Sequence, residues 1–373
     1  MPTPPDPSPR ANPAANGSQN TAPVSRINTP VANALSRLRR YWEDVPRAIA
    51  HRRGGPLDRA APRTHVELPE EAVYQPLAAA WLGHASVLMR LGGQWVLTDP
   101  VFSQRIGIPV GPLTFGLGRL NAPVKVATLP TPDLILISHA HFDHLDKPTL
   151  RQLARPETRV ITAAGTGRLV PRGFAQVDEL AWGKELNTGT LNIRAIKPRH
   201  WGARTTIDTH RGYNSYVIDS NSKRALFAGD TAMSDAFASL AGEHKQTDLA
   251  VFGIGAYDPW IHSHATPEQA WEMFTQSGAR LLMPMHHSTF KLSNEPVHEP
   301  LERLFAAAGP TRDRIVAFEM GRVWLDLPAQ GDESPSDVTI PLEAADQLDH
   351  PPQNAPANQS TSANQSTSAN TST

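Results

Sequence analysis

The sequence predicts an α/β protein with four layers: two β-sheets face to face, with helices on both outer surfaces. Three observations support this. The early apolar runs are joined by hairpin signals, the later runs alternate with helical patterns, and several runs end directly on histidine or aspartate. Sheets and amphipathic helices each present an apolar face that needs a partner, and an αββα sandwich supplies one to every layer.

The elements follow in chain order. Ala85–Leu91 and Trp95–Leu97 flank Gly92-Gly93, a hairpin signal. Leu134-Ile135-Leu136-Ile137 is short and continuously apolar, as a strand covered on both faces must be. Leu191–Ile196, Tyr213–Ile218, Arg224–Ala228, Leu249–Ile254 and Leu281–Met283 read as further strands. Helical spacing falls on Lys147–Ala154, Pro267–Ser277 and Glu299–Ala307. Together these place a globular body over residues 77–329.

The flanks differ. Residues 1–30 are rich in Pro, Asn, Ser and Thr and lack apolar periodicity, so a disordered tail is expected. Residues 330–373 share that composition and repeat Asn-Gln-Ser-Thr-Ser-Ala-Asn from Asn358 and again from Asn364. Between tail and body lies an N-terminal extension, residues 31–76. Within it Leu35, Leu38, Trp42, Val45 and Ile49 recur three or four apart among Arg37, Arg39, Arg40, Arg47, Arg52 and Arg53. That pattern suits a basic amphipathic helix making peripheral contact with a membrane. It equally suits a helix packed on the body with its arginines in water.

Composition narrows the chemistry. With no cysteine, disulfides are excluded and any metal must be held by nitrogen and oxygen. A net charge of −1, without a basic stripe, argues against a nucleic-acid partner. No basic-then-apolar leader and no apolar run of about 18 residues is visible, which makes a cytoplasmic protein the expectation. Nothing in the sequence specifies an oligomer.

The densest signal is His139-Ala140-His141-Phe142-Asp143-His144, directly after the Leu134–Ile137 run. Imidazole and carboxylate suit zinc, iron or manganese. His139 and His141, two apart, can reach one ion, while Asp143 and His144 can turn to a second. One cluster cannot complete two coordination shells, so later loops must contribute. His200, Asp230 and His286 each follow an apolar strand and are the candidates.

This order of ligands resembles the metallo-β-lactamase superfamily. Six further segments resemble, more narrowly, the N-acyl-phosphatidylethanolamine-hydrolysing phospholipase D family. They are Trp81–Ser86, Thr98–Ser103, Ala228–Thr231, Gly253–Tyr257, His264–Glu268 and His286–Phe290, within a resemblance that runs from about Ala78 to Leu304. It implies one ion held by His139, His141 and His200, a second by Asp143, His144 and His286, and Asp230 between them. It implies two zinc ions per chain and an Asp99 that orients a ligand histidine. Two adjacent ions activate a shared water as hydroxide. Asp143 is then expected to be catalytic by orienting that nucleophile, and His264 by donating a proton to the leaving alkoxide.

The implied activity is a phospholipase D-type phosphodiesterase on N-acylphosphatidylethanolamine-like lipids. A lactonase or other hydrolase of a small soluble ester is the alternative, and a non-catalytic metal-binding protein a third reading. The chain departs from the animal enzymes at His287-Ser288, where they carry Trp-Gly, and at Ser263, where they carry Gln; an additional His262 precedes it. These positions lie where substrate is expected, and His287 competes with His286 as the last ligand.

Overall fold

Side-chain alternation along the strands sorts this chain into layers, as seen in a computed structural model that describes residues 66, 68–111, 113–205 and 208–327. The expectations for residues 1–30, 31–53 and 330–373 lie outside the described residues. The chain runs through β1 (Leu77–Trp81), β2 (Val87–Leu91) and β3 (Gln94–Thr98), then makes a separate hairpin from β4 (Arg105–Val110) and β5 (Leu113–Gly118). It returns through β6 (Leu134–Ile137), β7 (Arg159–Ala163) and β8 (Gln176–Leu180). The second half holds β9 (Glu185–Asn187), β10 (Asn192–Ile196), β11 (Ser215–Asp219), β12 (Arg224–Phe227), β13 (Leu249–Gly253), β14 (Leu281–Met285) and β15 (Val323–Leu325).

One sheet has the order β15-β1-β2-β3-β6-β7-β8, the other β14-β13-β12-β11-β10-β9. Between them lies the central core. Leu77, Ala79 and Trp81 of β1, with Leu134 and Leu136 of β6, point inward to meet Tyr216, Ile218, Phe227, Val251 and Met283 of the second sheet. The intervening residues point out. Ala80, Leu88, Ile135 and Ile137 pack under helix α2 (Lys147–Leu153), through Leu150 and Leu153. Val217, Leu226, Ala250 and Phe252 pack under α3 (Pro267–Gln276) and α4 (Glu299–Ala308), through Ala270, Met273, Phe274 and Leu304. Each large aliphatic or aromatic side chain removed from water in this way contributes about 1.5–3 kcal/mol. The four-layer α/β sandwich expected from the sequence is thus present.

The packed body reaches back beyond Leu77. Val66 is buried in the outer core under α2, and α1 (Glu71–Tyr74) buries Ala72. Strands β1, β4, β5, β7, β8, β9 and β15 were not expected from the sequence, and β14 runs longer than expected. β1, Leu-Ala-Ala-Ala-Trp, has weak strand propensity but is buried at every position, so tertiary packing overrides it. β8 is an edge strand with mostly solvent-facing side chains, and its apolar pattern is correspondingly faint. β14 continues past Met283 through Pro284 because it is an edge strand, where proline's missing N–H removes no needed ladder bond.

Strands β3, β6, β7 and β8 run parallel, as do β12, β13 and β14. The loops leaving the carboxyl ends of β6, β12 and β14 therefore open at one rim of the sandwich, where α/β sheets place their ligands. Among the described residues no helix is long and apolar enough to cross a membrane.

Candidate metal centre

The loop after β6 carries four candidate ligands, and the fold aims them at residues from four other loops. His139, His141, His200 and Asp230 offer ligand atoms within 4.8 Å of one another. So do His84, Asp143, His144 and His286. Asp230 lies between the two groups. Its Oδ2 is 3.1 Å from His144 Nε2, 3.6 Å from His200 Nε2 and 3.8 Å from His139 Nε2, and its Oδ1 is 3.3 Å from His286 Nε2. All seven ligands expected from the sequence are brought together.

Hydrogen bonds from outside the cluster set which nitrogen each imidazole presents. Asp99, after β3, accepts from the Ser138 backbone N–H at 2.7 Å and from the Ser138 hydroxyl at 2.5 Å. With its proton on Asp99, Ser138 Oγ accepts from His139 Nδ1 at 2.8 Å. Asp99 Oδ2 also accepts from His144 Nδ1 at 2.7 Å. One buried carboxylate thus directs Nε2 of His139 into the first group and Nε2 of His144 into the second, the orienting role expected for Asp99. His200 Nδ1 donates to the Ser263 carbonyl at 2.9 Å, which frees its Nε2 in the same way. Because Ser263 acts through its backbone, its departure from the animal Gln leaves this support intact.

The ligand loop is braced from below. Arg204 Nη1 donates to the carbonyls of Ala140 and Leu145, both at 2.9 Å, and its guanidinium lies 4.0 Å from the Phe142 ring centroid. On the far side, Gly255 lets the last ligand loop approach closely: a Cβ there would lie 2.3 Å from the His286 carbonyl oxygen. His286 and Ser288 both have positive φ, 62° and 48°. That reversal sends the two neighbouring imidazoles apart. His286 faces Asp230, whereas His287 stacks on Trp81 at 4.3 Å between centroids and bonds Ser288 Oγ at 3.0 Å. His287 is therefore a packing residue and His286 the ligand candidate. His262 is exposed and belongs to neither group.

The electrostatics fit divalent cations. Both oxygens of Asp230 and Nε2 of His144 and of His286 are buried without a hydrogen bond of acceptable geometry. Burial by itself raises Asp230, but His144 and His286 outweigh it and hold the carboxyl well below the usual range. Burial likewise opposes a charged His144, yet Asp230, Asp143 and Asp99 push its pKa well above the usual value. The same contest, won by Asp230 and Asp143, lifts His286 to about 9. The buried Asp230 and the partly buried Asp143 thus demand positive charge at this point, and the converging nitrogens are where metal ions would meet that demand.

His84, between β1 and β2, takes part without having been assigned a role from sequence. Its Nε2 is 2.9 Å from Asp143 Oδ2 and its ring centroid 4.1 Å from that of His286. Its peptide is pinned: the N–H donates to Thr289 Oγ1 at 2.7 Å, and the carbonyl accepts from His286 N at 2.9 Å and Trp81 Nε1 at 2.7 Å. Burial, then the neighbouring His286, pushes its pKa down to about 3, so it is a neutral ligand or hydrogen-bond partner. Its signal was the Gly83-His84 step after a strand, inside a motif read only as resemblance. Ser138 and Arg204 were also missed; a serine before a histidine and a distant arginine carry no sequence signal of these contacts. Replacing His84 with Ala is expected to weaken metal binding at the Asp143–His144–His286 group by about 10–100-fold. Metal titration by calorimetry checks this, and unchanged affinity would confine His84 to packing.

His264, just before α3, stands at the edge of the cluster, with Nδ1 3.8 Å from Asp230 Oδ2 and its ring 5.2 Å from both His200 and His286. Its position follows from the helix start. Thr266 caps α3 in a reciprocal box with Gln269, and Pro267 opens the first turn. Burial, only partly opposed by Asp230, holds His264 well below the ordinary imidazole value. A neutral imidazole keeps one N–H donor and one acceptor nitrogen, so His264 can give or take a hydrogen bond at the edge of the cluster.

This layered fold and its paired histidine–aspartate groups define a metal-dependent hydrolase. A family model described as "Beta-lactamase superfamily domain" matches residues 94–287, and the chain belongs to that superfamily. An uncharacterised protein of Mycobacterium tuberculosis is 34% identical over 280 residues, covering 72% of this chain and 73% of that protein. The N-acyl-phosphatidylethanolamine-hydrolyzing phospholipase D 1 of Caenorhabditis elegans is 29% identical over 292 residues, covering 72% and 81% respectively. Among solved structures, an isothiocyanate hydrolase from Delia radicum gut bacteria shares the fold at a TM-score of 0.53 and 17% identity, over 66% of this chain and 98% of that one.

Proposed function

We propose that this hydrolase is a phosphodiesterase of the phospholipase D type, acting on N-acylphosphatidylethanolamine-like lipids. Water adds at phosphorus, and the bond from phosphorus to the headgroup oxygen breaks to leave phosphatidic acid and an N-acylethanolamine. The observation that carries the reading is a ligand set complete for two ions, in a chain similar over most of its length to the C. elegans phospholipase.

Zinc or a similar divalent ion bound here would act as Lewis acid toward the phosphoryl oxygens and lower the pKa of a water. Asp99 and Ser138 hold His139 and His144 in the orientation that binding requires. Asp143, with 14% of its side chain exposed, is the acidic ligand candidate nearest the opening and accepts from His84, which sets the direction of its carboxylate. A neutral His264 at the rim can accept a hydrogen bond from the attacking water, or donate its ring N–H to the oxygen of the departing headgroup. Beside His200 a cavity of about 460 Å³ is walled by Leu180, Trp182, Trp201 and Tyr213 together with His210 and Arg211, a setting with apolar and polar walls for the acyl-amide part of the headgroup. Residues 31–53 are proposed to add electrostatic attraction to anionic membranes.

The test incubates purified, zinc-loaded protein with N-acylphosphatidylethanolamine, phosphatidylcholine and lactones in parallel and identifies products by mass spectrometry. Appearance of N-acylethanolamine with phosphatidic acid is the expected result. Lactone opening without phospholipid turnover would replace this reading with the soluble-ester one.

A further inference from the structure

The β4–β5 hairpin stands beside the metal centre and has no part in the chemistry described so far. From Ile106 to Gly118 the sequence holds no charged residue, and Arg105 and Arg119 bracket it. Antiparallel pairing sets Ile106 opposite Leu117, Ile108 opposite Phe115 and Val110 opposite Leu113. Since side chains alternate along a strand, these three pairs line one face of the hairpin. Gly107 and Gly116 pair on the other face; Gly107 has φ +140°, and a Cβ there would lie 2.1 Å from the Phe115 carbonyl oxygen. The two strands therefore close tightly and form a narrow arm.

The arm has a fixed base and a wet tip. Ile106 is buried and, with Leu117, joins a small cluster containing Val101, Phe290, Phe142 and Leu292. Phe142 lies inside the ligand loop, between His141 and Asp143. Toward the turn the same apolar strip emerges into solvent: Ile108 is 46% exposed, Val110 57% and Leu113 63%. Leu120, just past Arg119, is 49% exposed. A continuous apolar strip on the surface, rooted in the active-site loop, marks an interaction surface.

We infer that this hairpin is a membrane-insertion element whose tip enters the apolar region of a lipid surface. The choice of a lipid rests on the phospholipid reading and on the charge pattern. An uncharged tip matches hydrocarbon, while exposed Arg105 at the base matches the phosphate level; a protein partner would instead call for a polar rim around the apolar centre. Strands of six residues at about 3.3 Å each give an arm of about 20 Å, longer than the ~5–10 Å that interfacial segments enter. Because its base packs on Phe142, insertion would bring the mouth of the metal centre to the headgroups.

The test uses the full chain and vesicles of phosphatidylcholine alone at high salt, conditions that screen attraction from residues 31–53. Flotation is compared for wild type, for Val110→Asp with Leu113→Asp, and for Val110→Ile with Leu113→Ile, alongside the rate on a soluble phosphodiester. The aspartate pair is expected to weaken vesicle binding by more than about tenfold, the isoleucine pair to retain it, and the soluble rate to stay unchanged in both. Undiminished binding by the aspartate pair, or a wild type that ignores neutral vesicles, overturns the inference. So does a wild-type dimer that the aspartate pair dissociates without any change in vesicle binding, since the strip would then face a second copy. Wild type that binds vesicles through the hairpin yet leaves N-acylphosphatidylethanolamine intact supports the hairpin and refutes the substrate reading. Hydrolysis of the same lipid in detergent, with vesicle binding indifferent to the hairpin, does the reverse.

Discussion

Asp230→Asn is expected to lower turnover by about a thousandfold or more, a loss of roughly 4 kcal/mol of transition-state stabilisation. Asp230 is the residue between the two ligand groups, with five histidine nitrogens within 3.8 Å of its oxygens. The amide keeps the size but removes the negative charge and aims N–H donors at nitrogens poised to bind metal. Asp143→Asn is expected to act in the same direction, since Asp143 Oδ2 serves His84, His144 and His286 together. Both variants should fold, because Asp230 sits at a loop beyond β12 and replaces no core side chain. Steady-state rates on a soluble phosphodiester, with circular dichroism as the control for folding, check this. A rate within a few-fold of wild type would remove that residue from the mechanism.

Removing metal is expected to abolish activity and to lower the melting temperature. Ions that bind the folded state at about a hundred times their Kd contribute ~2.7 kcal/mol each; two of them would shift the melting temperature of a domain this size by roughly 10–20 °C. Elemental analysis of the pure protein should find close to two ions per chain, as the two ligand groups provide. Chelation followed by calorimetry, then readdition of zinc, iron or manganese, identifies which ion restores both properties. Full activity with one ion or none would sink the two-metal reading.

The ligand cluster was legible because its residues are adjacent in sequence and chemically improbable as packing. His139, His141, Asp143 and His144 needed only the preceding apolar run to be placed at a strand end. His200, Asp230 and His286 were legible more weakly, each as a polar residue ending an apolar strand. The identity of the last ligand was not: His286 and His287 are equivalent as letters, and a positive φ at His286 decides which ring enters the site. His264 was legible only as a histidine just before a helix start; its place 3.8 Å from Asp230 and the burial that lowers its pKa come from the fold.

Sequence alone determined the α/β class, the strand and helix alternation of the second sheet, the exclusion of thiolate ligands, and the seven candidate ligands that the fold brings together. Periodicity and local motif chemistry carry that information because strand and helix repeats are short-range properties. Tertiary structure decided what depends on residues far apart in the chain. It brought Asp99 beside Ser138 and His144, His84 beside Asp143, and Arg204 beneath Phe142. It buried an alanine-rich β1 that propensity would leave out, and it left the tip of an uncharged hairpin in solvent beside the ligand loop. Contacts of that kind arise only when two sheets close on each other, since burial and the pairing of distant loops are properties of the packed whole rather than of any window of sequence.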